Sequence, residues 1–221
     1  MRRGVNTSRL VDLLQRARAL VFDFDGTLVD SNPIKRHAFA RCFAQFPHQL
    51  EDILAYCWNH HHVPRGEKFR YVYEQMLRQP YTAEVANRLH RVFDVATTRP
   101  IIEAPEIPGA VAFLRQVCRE HLTALLSSTP HEMLATIVAH RGWREYFTIL
   151  QGAPVNKSQW LRQFQATYRL GAGEIVLFGD TPEDAEAAQA AGVGFVAVAS
   201  SGVASSGRLA MADFTRLLTP A

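Results

Sequence analysis

The chain has 221 residues, of which 48% are hydrophobic, and it carries three cysteines and a formal net charge of +3. This length and composition suit one sizeable domain, or a core that carries an insert. No stretch approaches the roughly 18–20 apolar residues of a membrane span. The three cysteines are odd in number and none are closely spaced, which indicates neither a disulfide framework nor a zinc knuckle. The chain lacks a basic run interleaved with aromatic residues, so a nucleic-acid partner is not indicated.

The first residues, Met1 to Ser8, lack the apolar run of a secretory signal. Together with the lack of a membrane span, this predicts a soluble, cytoplasmic protein with reduced thiols and no membrane partner. We expect a monomer or a homodimer.

Residues 19–24 form the first predicted strand, which presents Asp23 and Asp25 before a turn at Gly26. Side chains two positions apart on a strand face the same way, so both acids project into one small space. Two like charges in that space repel each other unless a cation or a shared proton relieves them. The sequence therefore indicates a site of chemical function at the end of this strand.

Residues 33–104 contain no convincing strand, and helical periodicity predicts four helices there: Ile34–Phe46, Leu50–Trp58, Gly66–Arg78 and Ala83–Val95. Prolines on both sides, at Ser31–Pro33 and Arg99–Gly109, predict hinges because proline interrupts helices. We therefore predict an inserted all-helical domain at 33–104 and an α/β core formed by 1–32 and 105–221. The insert holds ten Lys or Arg against seven Asp or Glu, a weakly positive surface that favours small anionic substrates.

After the insert, apolar runs at 122–126, 147–150, 174–178 and 194–199 alternate with stretches of helical period. This alternation is typical of a parallel sheet with crossover helices, a Rossmann-like doubly wound α/β fold. The carboxyl ends of all its strands lie at one edge, where ligands bind at the switch in strand order.

The run 174–178 leads to a second pair of acids, Asp180 and Asp184, with Thr181 and Pro182 placed to begin a helix. Taken alone, Asp184 could simply favour the helix dipole and Asp180 simply make the turn. At one sheet edge, however, Asp23 and Asp25 would converge with Asp180. Three carboxylates make a hard oxygen site of the kind that Mg²⁺ accepts.

Two more strand ends offer groups for an anion. The run Ser127–Pro130 provides hydroxyls and amides that suit phosphate oxygens, although such a run is also typical of a helix N-cap. Lys157 opens a predicted helix, whose dipole prefers anions at that end. Its position therefore indicates a separate use for its charge, and the alternative is a solvated lysine.

These motifs in this order, Asp23–Ser31, Ser127, Lys157 and Gly179–Asp184, resemble the haloacid dehalogenase superfamily of hydrolases. The chain looks most like the members with a helical cap after the first motif, which include phosphoglycolate phosphatases and β-phosphoglucomutase-like enzymes. Two positions depart from the group's pattern, since Lys157 lacks the common Lys-Pro setting and Ser127 stands in place of threonine.

The resemblance implies a phosphatase that acts on a small phosphorylated metabolite through an aspartyl-phosphate. Asp23 would be the nucleophile and Asp25 the general acid and base. The implied cofactor is Mg²⁺, held by Asp23, the carbonyl of Asp25 and Asp180, with support from Asp184 through water. Ser127 and Lys157, with Ser128 beside them, would bind the phosphate oxygens.

Two alternatives stay open, a phosphomutase of the β-phosphoglucomutase type and a non-catalytic regulatory or binding module on the same fold. Dehalogenation is disfavoured, because family members that break carbon–halogen bonds do not carry the acid at Asp25. For substrate choice we hypothesise that Arg65 of the cap, with Lys68 second, reaches a distal anionic group of the substrate.

Overall fold

The computed structural model of the chain describes residues 2–60, 63–198 and 209–218. The chain divides into two compact units, one formed by Met1–Asp30 with Pro105–Ala221 and the other by Ser31–Ala104. We call them the core unit and the helical unit. The assignment of these parts as catalytic core and cap stays a prediction.

The helices, in chain order, are α1 Arg2–Arg16, α2 Asn32–Cys42, α3 Leu50–Asn59, α4 Arg65–Tyr71, α5 Ala83–Glu103, α6 Ala110–Val117, α7 His131–His140, α8 Lys157–Tyr168 and α9 Pro182–Ala191. The strands are β1 Ala19–Phe22, β2 Leu122–Pro130, β3 Ile149–Ala153, β4 Ile175–Gly179, β5 Gly194–Val198 and β6 Leu209–Met211.

The strands of the core unit form one parallel sheet with the order β3-β2-β1-β4-β5-β6. The chain builds one half of the sheet outward from β1 through β2 and β3, and the other half through β4, β5 and β6. The strand order therefore reverses beside β1, and a crevice for ligands is expected at the carboxyl ends of β1 and its neighbours.

Both faces of this sheet are buried, which explains why its strands are continuous apolar runs. On one face Phe22 of β1 stacks on Phe178 of β4 with ring centroids 4.9 Å apart, and Phe113 and Phe214 pack against the pair. A separate apolar cluster that includes Val21 covers the other face. The middle of the sheet is thus fixed by packing on both sides, and the strand ends beside it are held in place.

The helical unit has its own core, in which Phe39, Phe43, Phe69 and Phe93 meet edge to face. The chain leaves the core unit after Asp30 and re-enters it at Pro105. There the amide of Asp30 donates a 3.0 Å hydrogen bond to the carbonyl of Pro105, and a β-bridge pairs Val29 with Glu106.

The predicted fold class, a doubly wound parallel α/β sheet with an inserted all-helical segment, is confirmed. Several element bounds differ from the predictions. The helix predicted over Gly66–Arg78 is α4 followed by a π-helical turn, Val72–Met76, and the sequence patterns missed α1 and β6.

Within the predicted hinge Arg99–Gly109, Pro100 does not interrupt the helix, because α5 continues through it and ends at Glu103. The last turns of α5 bury Thr97 and Ile101, and this packing outweighs the hydrogen bond that proline cannot donate.

None of the helices within the described ranges combines the length and the apolar character needed to cross a bilayer.

Candidate active site

The end of β1 supplies the first two acids. The amide of Asp23 donates to the carbonyl of Phe178, which extends the pairing of β1 with β4. The chain then turns tightly, with the amides of Leu28 and Val29 both bonded to the carbonyl of Phe24. This turn follows directly on a strand fixed by packing, and it leaves Asp23 and Asp25 buried, at 5% and 8% exposure.

The end of β4 supplies the second pair of acids. Asp180 follows the strand, and Thr181 caps α9 in a capping box with Asp184: the Thr181 hydroxyl and amide both donate to Asp184 Oδ2, and the Asp184 amide donates back. This is the helix start that the sequence predicts. It holds Asp184 completely buried.

Asp23, Asp180 and Asp184 come together. Each offers one carboxylate oxygen, and these oxygens all lie within 4.8 Å of one another. The pKa of Asp23 is held well above its usual range, chiefly because burial penalises the charged form; Lys157 opposes this, and the neighbouring acids Asp184, Asp180 and Asp25 add to it. Such a crowd of buried carboxylates fits a divalent cation, which prefers hard oxygen ligands.

Lys157 lies between two of these acids. Its Nζ donates to Asp184 Oδ1 at 2.6 Å and to Asp23 Oδ1 at 2.9 Å, and its side chain is 4% exposed. Burial by itself would lower the pKa of Lys157. The carboxylates of Asp184 and Asp23 outweigh this effect and raise that pKa above its usual value. The two carboxylates therefore favour the charged form of Lys157, which lies inside the cluster and is not a solvated helix end.

Strand β2 contributes the hydroxyl residues beside β1. Ser127 is buried and its Oγ accepts a 3.1 Å hydrogen bond from the amide of Thr129, whereas Ser128 is exposed. The Thr129 hydroxyl donates to Asp25 Oδ2 at 2.7 Å. The segment that carries Ser127 is thus bonded to the loop that carries the first two acids.

A family model described as haloacid dehalogenase-like hydrolase matches residues 17–192, which is most of the chain. The chain belongs to the haloacid dehalogenase-like hydrolases. The resemblance drawn from the motifs and the assignment as a hydrolase are both confirmed.

This haloacid dehalogenase-like hydrolase is 28% identical over 189 residues to a phosphoglycolate phosphatase of Synechococcus elongatus, a match that covers 82% of each protein. Its fold is similar to that of CbbY from Rhodobacter sphaeroides, solved in complex with phosphate, with a TM-score of 0.68, 17% identity and coverage of 91% of this chain and 96% of that one. A haloacid dehalogenase-like hydrolase of Streptococcus pneumoniae has a TM-score of 0.61 at 17% identity, with coverage of 83% and 85%.

The two cap candidates of this hydrolase, Arg65 and Lys68, lie in the helical unit. Arg65 Nη1 donates to Asp94 Oδ1 at 2.7 Å, and its guanidinium lies 4.6 Å from the ring centre of Phe93. Lys68 is 7% exposed and donates to the carbonyl of Cys57 at 2.9 Å. Both make contacts within their own unit, and their role in binding substrate stays a prediction.

Two threonines of the site were missed by the sequence analysis. The Thr27 hydroxyl donates to Asp180 Oδ1 at 3.3 Å, and Thr129 donates to Asp25. Thr27 belongs to the first motif, so its position offered a signal. Thr129 belongs to a run that is typical of a helix N-cap, and nothing in the sequence connects it with an acid 104 positions away.

Proposed function

We propose that this protein is a Mg²⁺-dependent phosphatase that hydrolyses a small phosphate monoester, of the phosphoglycolate or sugar-phosphate type, through an aspartyl-phosphate. The observation that carries the proposal is the buried group of Asp23, Asp180 and Asp184 with Lys157 bonded to two of its members. Membership of a hydrolase family and the name of the Synechococcus relative support it.

The residues of the cluster fit a magnesium ion, because its three carboxylates face a single ammonium and an excess of negative charge is left. Asp23, the backbone carbonyl of Asp25 and Asp180 would hold the ion. Both Asp184 oxygens already accept hydrogen bonds from Lys157 and Thr181, which suits a supporting role through water. When bound, Mg²⁺ supplies the positive charge that lets an anionic carboxylate approach an anionic phosphate.

In the first half of the reaction, a carboxylate oxygen of Asp23 forms a bond to phosphorus while the ester P–O bond breaks. Asp25 gives its proton to the departing oxygen, so that the alcohol leaves and Asp25 becomes a carboxylate. Lys157 and Ser127 bind the oxygens of the transferring phosphoryl group, where negative charge must be stabilised.

In the second half, water attacks phosphorus and Asp25 takes a proton from it. The bond between phosphorus and Asp23 breaks, inorganic phosphate leaves, and both acids return to their starting states. One residue thus acts first as acid and then as base, which requires that its carboxyl group stay in place between the two halves.

The phosphomutase and the non-catalytic module are not favoured. The matched family and the curated relative both bear hydrolytic names, and Asp23, Asp25 and Lys157 are all present and buried.

The test is hydrolysis of p-nitrophenyl phosphate with and without Mg²⁺, followed by a panel of phosphoglycolate, hexose and pentose phosphates, nonulosonate phosphates and nucleoside monophosphates. We expect EDTA to abolish activity and Mg²⁺ to restore it. Asp23→Asn should be inactive, whereas Asp12→Asn, the same change at an exposed position of the core unit, should behave like the wild type.

Activity that survives in Asp23→Asn would overturn the proposed nucleophile. A wild-type protein that hydrolyses no member of the panel would instead support the non-catalytic module.

A further inference from the structure

The hydrogen bond between Thr129 and Asp25 joins two distant parts of the chain. Thr129 Oγ1 lies 2.7 Å from Asp25 Oδ2, and both residues are buried, at 4% and 8% exposure. A hydroxyl that donates to a carboxylate at this distance makes a strong, directional contact. The contact therefore restrains the orientation of the Asp25 carboxyl group.

The backbone at Thr129 is itself firmly held. Its amide donates to Ser127 Oγ at 3.1 Å. Its carbonyl lies against Gly152 of β3, where a β-carbon would come within 2.6 Å of it. A side chain on so well fixed a backbone can hold its partner in one position, whereas a residue on a free loop cannot.

We propose that Thr129 is a positioning residue, which holds the carboxyl group of Asp25 where it exchanges a proton with the leaving oxygen. The proposal rests on the proposed function, because it assigns Thr129 a part in the same reaction. It also links Thr129 with Ser127, since both lie at the end of β2: the segment that binds the phosphoryl group also sets the position of the acid.

The chemistry singles out a particular class of substrate. An alkyl phosphate releases an alkoxide oxygen, which must receive the proton of Asp25 as the P–O bond breaks, whereas p-nitrophenol leaves readily as its anion. General acid catalysis contributes about 10²–10⁴-fold to such a step, and a small misplacement of the acid forfeits part of it. Loss of the Thr129 hydroxyl should therefore impair alkyl esters far more than the aryl ester.

The experiment compares Thr129→Val, Thr129→Ala and Thr129→Ser with the wild type. For each protein, kcat/KM is measured with the fastest alkyl ester of the panel, phosphoglycolate or a sugar phosphate, and with p-nitrophenyl phosphate. We expect Thr129→Val and Thr129→Ala to lose about 10–100-fold on the alkyl ester and less than about threefold on the aryl ester. Thr129→Ser, which keeps the hydroxyl, should restore the wild-type ratio.

A matched control is available on the same strand. Thr123 is 1% exposed and donates a 2.6 Å hydrogen bond to the carbonyl of Tyr146, so Thr123→Val removes a buried hydroxyl from β2 without touching the acids. It should change both substrates alike. Thermal unfolding of every variant reports whether the proteins remain folded, and if Thr129→Val does not fold, the comparison of Thr129→Ala with Thr129→Ser decides.

Equal losses on the two substrates, or no rescue by serine, would overturn the positioning role while leaving the phosphatase in place. A wild-type protein that hydrolyses the aryl ester but no alkyl ester would overturn it as well. Failure of the proposed function is distinguishable, because the wild type would then hydrolyse neither ester.

Discussion

Lys157 Nζ lies 2.6 Å from Oδ1 of Asp184, in a part of the core unit where both side chains are almost completely buried. The same ammonium also donates to Asp23 at 2.9 Å. One ammonium group therefore bonds to two buried carboxyl groups, and the stability of the cluster depends on it when no metal ion is bound.

Substitution of Lys157 by Met should lower both stability and activity. Removal of one partner of a buried ion pair leaves an uncompensated charge and typically costs about 3–5 kcal/mol. We expect a loss of this size in the free energy of unfolding, measured with urea in the presence of EDTA, and a fall in kcat of at least about 100-fold. Arg162→Met, which removes an exposed cation from the same helix, should change little, and equal effects of the two substitutions would contradict the role given to Lys157.

Substitution of Gly179 by Ala should displace Asp184. A β-carbon at Gly179 would lie 2.5 Å from both Cβ and Cγ of Asp184, closer than real contacts allow. Overpacking of this kind costs about 1–3 kcal/mol, and we expect a matching fall in the free energy of unfolding together with at least about a tenfold loss of activity. At Gly173, where no atom lies within 4 Å of the added carbon, the same change should be almost neutral; an unaffected Gly179→Ala would show that the strand end can shift freely.

The thiols should differ sharply in reactivity. Burial raises the pKa of Cys42 and of Cys57 to about 12, from the usual 9.0, and only the thiolate is a good nucleophile. Of the three cysteines, Cys118 alone is partly exposed. With Ellman's reagent at pH 8, about one thiol should react quickly and the other two only after denaturant is added, and Cys118→Ser should remove the fast phase.

The same thiols make stability depend on alkaline pH. The folded protein keeps the protons of Cys42 and Cys57 up to a pKa of about 12, whereas the unfolded chain releases them near 9.0. The folded state therefore binds more protons in this range, so its advantage is fully present below pH 9.0 and is lost as the pH rises toward 12. Urea midpoints measured between pH 8 and 11 should fall, and fall less in Cys42→Ala, whose own baseline at pH 8 serves as the reference.

Substitution of Arg65 by Ala tests the hypothesis on substrate choice. If Arg65 binds a distal anionic group, KM for the preferred substrate should rise at least about tenfold while KM for p-nitrophenyl phosphate stays the same. Arg88→Ala is a suitable control, because Arg88 also belongs to the helical unit and bonds to Tyr73. Equal effects of Arg65→Ala on both substrates would leave Arg65 with only its contacts to Asp94 and Phe93.

The sequence predicted the sheet edge well because short apolar runs identify buried strands, and parallel strands must end together. This placed Asp23 and Asp180 side by side although 157 positions separate them in the chain. The side-chain contacts within the site could not be predicted from the sequence. The bond from Thr129 to Asp25 and the two bonds of Lys157 depend on side-chain rotamers and loop paths, which leave no periodic signal.

Helix ends were predicted less well for a related reason. The local rule that proline stops a helix failed at Pro100, because burial of Thr97 and Ile101 favours continuation of α5. Local propensity differences amount to a few kcal/mol, and tertiary packing of a long helix can exceed them.

The bond from Asp30 to Pro105 and the bridge from Val29 to Glu106 bring the two chain crossings to the helical unit next to each other. A segment of 74 residues, Ser31 to Ala104, thus leaves and re-enters the core unit at neighbouring residues. The entropic cost of closing a loop grows only slowly with its length, so an insert of this size adds little to the cost of connecting Asp30 with Pro105.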